Sequence, residues 1–133
     1  RLFLEYMKNG GMPGNISILE TNPNDIDKYL DGIFPTVVYK DIMARNNIGD
    51  KMLLESVIKF VYDNIGNPIS TKKISDTLTS KGISTSNHTV ENYLTSFLES
   101  FLIYKAERFD VKGKNLLARD YKYYAVDTGL RSY

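Results

Sequence analysis

Residues 70–101 read STKKISDTLTSKGISTSNHTVENYLTSFLESF, and this stretch decides the fold. Ser70 and Ser86 each stand where the N-cap of a helix is expected, because a serine hydroxyl satisfies a free N–H group of the first turn. A glycine follows the first segment, as is common just past a helix C-terminus. The pattern predicts helices over 71–81 and 87–100 joined by a tight turn, which is the order of a helix-turn-helix.

A third helix is predicted ahead of this pair, over residues 50–65, with Asp50 as its N-cap. In all three helices apolar residues recur three and four positions apart, so each helix has one apolar face. The apolar stripe of the last helix continues to Phe101. We expect the three faces to form a single core from Leu54, Ile58, Ile74, Leu78, Val90, Leu94 and Phe97.

Residues 101–109 and 121–126 are rich in aromatic and β-branched side chains, which favour β-strands. The polar, glycine-containing segment 111–115 between them predicts a turn. A two-stranded hairpin directly after a helix-turn-helix is a wing. We therefore predict a winged helix-turn-helix domain over residues 49–133, with a two-stranded β wing that ends near Asp127.

The pattern of residues 1–48 predicts a separate helical segment, so the fold class is mainly α. A first helix ends at residues 9–14, where glycines and a proline interrupt regular structure, and residues 15–21 are predicted to be a connector. Amphipathic spacing then predicts one long helix over 25–47. Pro35 removes a hydrogen bond inside that helix and should kink it.

Composition limits the possible functions. The chain has 133 residues, 42% of them hydrophobic and 25% charged, which is typical of a soluble globular protein. No apolar run approaches the roughly 18 residues of a membrane span and no signal peptide is evident, so we expect no membrane contact and a cytoplasmic location. Cysteine is absent and His88 is the single histidine, which excludes disulfides and multi-histidine zinc sites.

The net charge of +1 divides unevenly along the chain. Residues 1–70 hold seven basic and nine acidic residues, whereas residues 71–133 hold ten basic and seven acidic ones. This basic excess is too small to indicate nucleic-acid binding by itself. A nucleic-acid interface therefore has to be inferred from the placement of particular residues.

The second helix of the helix-turn-helix is the expected recognition element. Asn87, His88 and Asn92 fall on its outer face near the N-terminus, where such helices contact base edges, and asparagine suits adenine. The helix contains no Lys or Arg and carries Glu91, which repels phosphate. A solvated polar face is the alternative interpretation, and we favour it over base-specific readout.

Basic residues cluster beside that helix instead. Lys72 and Lys73 lie on the first helix of the pair, and Lys112 and Lys114 lie at the predicted wing tip. These lysines could bind a phosphate backbone, which gives affinity without sequence information. A hairpin tip that is charged because it faces water explains the two wing lysines equally well.

Five aromatic residues of the predicted strands could instead form a stacking surface for single-stranded nucleic acid. They are Tyr104, Phe109, Tyr121, Tyr123 and Tyr124. Aromatic residues in short strands more often form cross-strand pairs and core. We favour this second interpretation, of cross-strand pairs and core.

The sequence contains no recognisable catalytic or metal-ligating constellation. His88 has no acid–base partner nearby, and the carboxylate pairs match no hydrolytic motif. Residues 10–14, GGMPG, lack the Gly-Lys-Ser/Thr ending and the preceding strand of a phosphate-binding loop. We predict neither catalysis nor a bound cofactor in this chain.

Five motifs, taken in order, resemble a known family. They are Tyr6 with Gly10–Pro13, Tyr29–Ile33, Thr36–Ile42 with Arg45, Ser86 with Thr89–Val90 and Asn92–Leu94, and Lys122–Arg131. Together they make the chain similar to the central region of a large prokaryotic family of predicted AAA-superfamily ATPases. Those proteins carry a C-terminal domain of unknown function, often with a nuclease-like fold.

The resemblance implies that the chain is a piece of a longer protein, which agrees with its start at Arg1 inside an amphipathic segment. The phosphate-binding loop and the carboxylates that hold Mg²⁺ with ATP would precede residue 1. Residues 1–48 would be the helical lid that follows such a core, and the C-terminal domain would begin beyond Tyr133. Pro35 departs from the family, which more usually has a polar residue at this position.

These observations leave two main functions of different class. The first is a non-catalytic part of an ATPase whose winged helix binds double-stranded DNA, mainly through backbone contacts. The second is a docking module that contacts the ATPase core, the C-terminal domain or another protein. The Lys-bearing wing favours the first function, and the acidic, Arg-free recognition helix favours the second. A regulator complete in itself is a third possibility that fits poorly with the ends of the chain.

Overall fold

A computed structural model describes residues 1–46, 48–107 and 120–132. Across these residues the chain is mostly helical, with one small three-stranded antiparallel sheet. It divides into two compact units: a central unit, Gly49–Tyr124, and a terminal unit in which Arg1–Ile48 joins the C-terminal residues. The expectation of a mainly α fold is confirmed.

The N-terminal part of the terminal unit is helical almost throughout. Its elements are α1 Leu2–Asn9, α2 Pro13–Thr21, a 3-10 turn Pro23–Asp25, α3 Ile26–Pro35, a π-helical segment Thr36–Met43 and a single turn α4 Ala44–Asn46. The predicted connector over 15–21 is wrong, because α2 covers it. Pro13 begins that helix, where its missing N–H breaks no hydrogen bond and its fixed φ favours the helical turn.

The predicted long helix is a helical run whose hydrogen-bonding pattern changes along its length. Pro35 ends α3, and the next eight residues are π-helical. Because proline has no N–H to donate, the regular α-helical ladder is interrupted at this point. The wider ring of a π-helix is seen where the Ile48 N–H bonds to the Met43 carbonyl oxygen at 3.0 Å. The apolar face of the run is buried at Ile26, Leu30, Val38 and Ile42.

The central unit contains the three helices that the sequence predicts, each within two residues of its expected ends. Its elements are α5 Lys51–Asp63, β1 Pro68–Ile69, α6 Thr71–Ser80, α7 Asn87–Glu99, β2 Ile103–Ala106 and most of β3 Tyr121–Ala125. α6 and α7 follow one another after a short turn. This order confirms the three predicted helices.

Each of these helices begins at the side-chain cap predicted from the sequence. Oδ1 of Asp50 accepts a hydrogen bond from the Leu53 N–H at 2.9 Å. The hydroxyl oxygens of Ser70 and Ser86 do the same for α6 and α7, at 3.2 and 3.1 Å from the donor nitrogens. A cap of this kind stabilises a helix by about 1 kcal/mol, so Asp50, Ser70 and Ser86 determine where the three helices start.

The predicted core of the central unit is confirmed. All seven predicted side chains are buried, with exposed fractions of 3% or less: Leu54, Ile58, Ile74, Leu78, Val90, Leu94 and Phe97. Ile69 and Ile74 flank the Ser70 cap and are also buried, at 1% and 0%. This pair of apolar residues fixes the direction in which the chain enters α6.

α6 and α7 end in the same backbone conformation with different residues. The residue after each C-cap has a positive φ, 83° at Gly82 and 54° at Phe101. Behind Phe101 the Leu102 N–H bonds to the Phe97 carbonyl oxygen at 3.0 Å, which closes the last turn of α7. The expectation that Phe101 extends the apolar stripe is wrong. Its side chain is 70% exposed, because the left-handed turn directs it away from the core.

The predicted hairpin strands belong to a three-stranded sheet. β3 lies in the middle, between β1 and β2. β1 is antiparallel to β3, with Pro68 opposite Lys122 and Ile69 opposite Tyr121. The expectation of two strands is therefore wrong, because it lacks β1. A strand of two residues is too short to show an alternating pattern. The turn predicted over 111–115 lies outside the described residues.

The last element, α8, spans Thr128–Ser132 and belongs to the terminal unit, as does the whole segment Ala125–Tyr133. The sequence instead assigned residues 49–133 to one domain. The physical reason for the difference is that α8 packs on α1, where the Thr128 hydroxyl donates a hydrogen bond to the Tyr6 carbonyl oxygen at 3.0 Å. The two ends of the chain therefore meet in the terminal unit.

Candidate nucleic-acid interface

Lys72 and Lys73 lie exposed on the first turn of α6. The ammonium group of Lys72 is 3.0 Å from Oδ2 of Asp76, and both side chains are exposed, at 72% and 64%. An exposed pair at this spacing contributes only a few tenths of a kcal/mol. A phosphate group could therefore replace Asp76 as the partner of Lys72 at little cost.

The predicted recognition residues Asn87, His88 and Asn92 are exposed on α7. Two of them lie together, with Nδ2 of Asn92 at 3.3 Å from Nδ1 of His88. The side-chain oxygen of Asn87 accepts a hydrogen bond from the Ser75 hydroxyl on α6. Asparagine reads adenine with its oxygen and its nitrogen at once. The hydrogen bond to Ser75 fixes the orientation of the Asn87 amide, so base readout by Asn87 would have to use the second lone pair of this oxygen or reorient the amide.

The sequence did not predict a role for Ser75. Its side chain is buried, and its hydroxyl lies 3.0 Å from the Lys72 carbonyl oxygen as well as within hydrogen-bonding distance of Asn87. This one side chain therefore connects the backbone beside the exposed lysines of α6 to the first turn of α7. A small polar residue next to the buried Ile74 is the only signal that could have indicated it.

α7 adds negative rather than positive charge to this surface. Glu91 and Glu99 are exposed, and the helix contains no Lys or Arg. Burial, with smaller contributions from the charges of Tyr121 and Glu91, raises the pKa of the Tyr123 phenol to about 12. The negative potential of Glu91 therefore reaches β3, and it is unfavourable for a phosphate on this side of the helix.

Aromatic residues of β2 and β3 differ in their exposure. Tyr123 is buried at 4%, whereas Tyr104 and Tyr124 are 54% and 41% exposed. Nζ of Lys105 lies 3.9 Å from the ring centroid of Tyr121, which is the geometry of a cation–π interaction. Burial of Tyr123 agrees with the core interpretation, and the contact between Lys105 and Tyr121 is a cross-strand pair.

Of the predicted contact residues, five lie exposed on α6 and α7, which contact each other: Lys72, Lys73, Asn87, His88 and Asn92. The wing lysines Lys112 and Lys114 lie outside the described residues, as does Phe109. The described surface therefore combines a basic turn on α6 with an uncharged and acidic face on α7.

No group of three or more His, Asp or Glu side chains is placed to hold a metal ion among residues 1–46, 48–107 and 120–132. In that same part of the chain, no helix combines the length and apolarity needed to cross a membrane. Cysteine is absent from the sequence altogether.

A second cluster of motif residues joins the two ends of the chain at Asp127. Oδ2 of Asp127 accepts a hydrogen bond from the Gly11 N–H at 2.6 Å, and Oδ1 accepts one from the Leu130 N–H at 3.0 Å. The carboxylate side chain is only 8% exposed. Charge-assisted bonds of this kind stabilise a buried carboxylate, so Asp127 both caps α8 and holds the loop after α1.

Two glycines allow this arrangement, which we call the Asp127 clasp (Gly10, Gly11, Asp127 and Gly129). Gly10 has a φ of 80°, which glycine adopts without strain, and a Cβ at this position would overlap the Asp127 carboxylate. A Cβ at Gly129 would overlap the carbonyl oxygen of Asn9. The clasp gives a physical reason for the glycines in motifs at opposite ends of the sequence.

Comparison with known proteins identifies relatives that have no assigned activity. A family model described as a domain of unknown function, DUF8612, matches residues 1–133. An uncharacterized protein of Haemophilus influenzae is 43% identical over 131 residues, covering 98% of this chain and 32% of that protein. Uncharacterized protein MJ1544 of Methanocaldococcus jannaschii is 30% identical over 125 residues, covering 92% of this chain and 27% of that protein. No solved structure matches the chain.

Proposed function

The chain belongs to the DUF8612 family, and from this premise we propose that it is a non-catalytic part of a longer prokaryotic ATPase whose winged helix binds the backbone of double-stranded DNA. The observation that carries the DNA-binding proposal is the exposed pair Lys72 and Lys73 on the first turn of α6, beside the exposed N-terminal face of α7. The order of α5, α6, α7, β2 and β3 along the chain supports the winged-helix assignment.

Binding through the backbone fits the hydrogen bonds on α7. The side-chain oxygen of Asn87 accepts a hydrogen bond from Ser75, and Asn92 lies against His88, so both amides already have a side-chain partner. Lysines attract phosphate without reading sequence. We expect affinity that is weak, independent of sequence and steeply reduced by salt, because each neutralised phosphate releases counterions.

The ATPase part of the proposal rests on the resemblance of the five sequence motifs and on the greater length of the relatives, of which the chain spans 32% and 27%. ATP and Mg²⁺ would bind in the remainder of the longer protein, in the cytoplasm, and not to these 133 residues. The test is ATP hydrolysis by the purified chain. Turnover that is abolished by a substitution within residues 1–133 would overturn this part of the proposal.

A titration of the chain with random duplex DNA at low ionic strength, repeated over a range of salt, tests backbone binding. Replacing Lys72 and Lys73 together with alanine should weaken binding and flatten the salt dependence by up to about two units, at ~0.9 unit per lost phosphate contact. The double substitution of Lys112 and Lys114 should act in the same way. A matched control, Lys40→Ala with Lys59→Ala, removes the same charge from exposed positions elsewhere and should leave the slope unchanged.

A second candidate function is docking on another protein surface through the outer face of α7. The observation that favours it is the pair of exposed glutamates, Glu91 and Glu99, on a helix with no basic residue. Glu91→Lys separates the two functions. If the chain binds DNA, this substitution should raise affinity by removing repulsion. If α7 is a docking face, no DNA binding will be measurable at low salt, and Glu91→Lys will weaken the contact with the neighbouring domain.

A further inference from the structure

α1 exposes five large apolar side chains and buries none. They are Leu2, Phe3, Leu4, Tyr6 and Met7, which are 82%, 69%, 71%, 50% and 47% exposed, and we call them the α1 apolar face. At roughly 150–250 Å² for a large side chain, their exposed area is on the order of 600 Å². A monomeric soluble protein rarely exposes a contiguous apolar area of this size unless the area is functional.

The charged residues of this segment do not interrupt the α1 apolar face. At about 100° per residue, Arg1, Glu5 and Lys8 fall within one narrow arc of the helix, and the five apolar side chains occupy the rest of its circumference. Nε of Arg1 lies 3.2 Å from Oε1 of Glu5 within this arc. The helix therefore offers a continuous apolar surface next to a short polar strip.

The hydrogen bond and the close approach between α1 and α8 involve main-chain groups of α1. The Thr128 hydroxyl bonds to the carbonyl oxygen of Tyr6, and Gly129 lies against the carbonyl oxygen of Asn9. The Asp127 clasp holds the loop that follows α1. These contacts fix the C-terminal end of α1 within the terminal unit and leave its apolar side chains for another surface.

We propose that the α1 apolar face is covered by the part of a longer polypeptide that this chain does not span. The relatives have the length for this, since the chain covers 32% of one and 27% of the other. A second copy of the chain is a poorer occupant, because stable complexes bury about 800 Å² on each partner and the α1 apolar face offers less. A segment of the same polypeptide needs less area, since linkage raises its effective concentration.

Thiol labelling tests the proposal in the complete gene product that contains this sequence. The 133 residues contain no cysteine, so Phe3→Cys introduces a single thiol on the α1 apolar face. Lys8→Cys, on the polar arc of the same helix, is the matched control. We expect Phe3→Cys to react at least about tenfold more slowly in the complete product than in the 133-residue chain, because burial requires a local opening before reaction. Lys8→Cys should react equally in both.

Peptide mass spectrometry gives the extent of labelling at each position, and Leu4→Cys is a second probe in case Phe3→Cys alone disturbs the contact. Slow labelling at both probes, independent of protein concentration, supports the proposal. Three outcomes overturn it: equal rates in the two proteins, protection that grows with concentration and so indicates a second copy, or a gene product no longer than this chain. None of these outcomes depends on DNA binding, so this proposal and the DNA-binding part of the proposed function fail separately.

Discussion

The central and terminal units of this chain both bury apolar helix faces, but the terminal unit also joins the two ends of the chain. In Gly49–Tyr124 the apolar stripes of three helices are buried, and Phe97 on α7 is among the largest fully buried side chains. In the terminal unit two hydrogen bonds join the chain ends, from the Gly11 N–H to the Asp127 carboxylate and from the Thr128 hydroxyl to the Tyr6 carbonyl oxygen, while α1 leaves its apolar side chains exposed. Periodic spacing identifies the core of the first unit. It cannot identify a contact made by main-chain groups, which have no sequence period.

The Asp127 clasp also gives the chain a particular topology. The central unit begins after Ile48 and ends before Ala125, and both of these residues belong to the terminal unit. The central unit is therefore an insertion with two connections rather than a domain that follows the first on a single linker. A substitution in one unit should consequently be tested for its effect on the other.

The largest expected effect is the loss of core packing in the central unit. Phe97 is fully buried, so Phe97→Ala should lower the free energy of unfolding of this unit by about 3–5 kcal/mol, through lost burial and the cavity that remains. Urea denaturation measures the change. Met52→Ala, at a position 65% exposed on α5, is the control and should cost less than about 0.5 kcal/mol.

Amide hydrogen exchange in the same variant sharpens the comparison between the units. If the terminal unit is stabilised by its own contacts, the Gly11 amide, which donates to Asp127, should keep its protection in Phe97→Ala. A parallel loss of protection at Gly11 and Leu94 would show that the two units unfold together.

The next effect is the loss of the Asp127 clasp. Asp127→Ala removes the acceptor of two partly or fully buried N–H groups and should destabilise the terminal unit by about 2–3 kcal/mol. Exchange of the Gly11 and Leu130 amides should accelerate, while exchange of the Leu94 amide should not. Asp120→Ala removes the same charge from an exposed position and should change none of the three rates. Unchanged exchange at Gly11 in Asp127→Ala would contradict the role of the clasp.

The contrast between the units explains which parts of the structure could be predicted. Caps and periodicity located α5, α6 and α7, since both signals are local. The local pattern does not indicate α2, because a proline beside glycines is typical of a helix break as well as of a helix start such as Pro13. The bond between Gly11 and Asp127 spans 116 residues, and no local pattern indicates it. For the candidate interface, the exposure of Asn87 follows from helical spacing, whereas its bond to Ser75 depends on how α6 and α7 pack.

High pH should affect the central unit through Tyr123. Burial raises the pKa of this phenol to about 12, whereas an unfolded tyrosine has a pKa of about 10. The stabilisation is therefore fully present below about pH 10 and is lost as the pH rises through about 12, because the unfolded chain loses its proton first. In urea denaturation at alkaline pH, the free energy of unfolding of Tyr123→Phe should therefore fall less with rising pH than that of the unsubstituted chain. Tyr104→Phe, at a position 54% exposed, should not.

The smallest expected effects concern the C-terminal ends of α6 and α7 in the central unit. Gly82 and Phe101 occupy the same left-handed position after α6 and α7, with φ of 83° and 54°. A Cβ at Gly82 would meet nothing within 4 Å, so Gly82→Ala isolates the cost of the backbone conformation, about 1 kcal/mol. Phe101→Gly should act in the opposite direction.

Phe101 is 70% exposed, so replacing it loses little burial, and glycine relieves the strain of its positive φ. Glycine also gives the unfolded chain more conformational freedom, which offsets part of the gain. We therefore expect Phe101→Gly to stabilise the central unit by about 0.5 kcal/mol, measured by urea denaturation beside Gly82→Ala. If Phe101→Gly destabilises the unit instead, the exposed ring makes a stabilising contact that outweighs the strain, and the two helix ends are not equivalent.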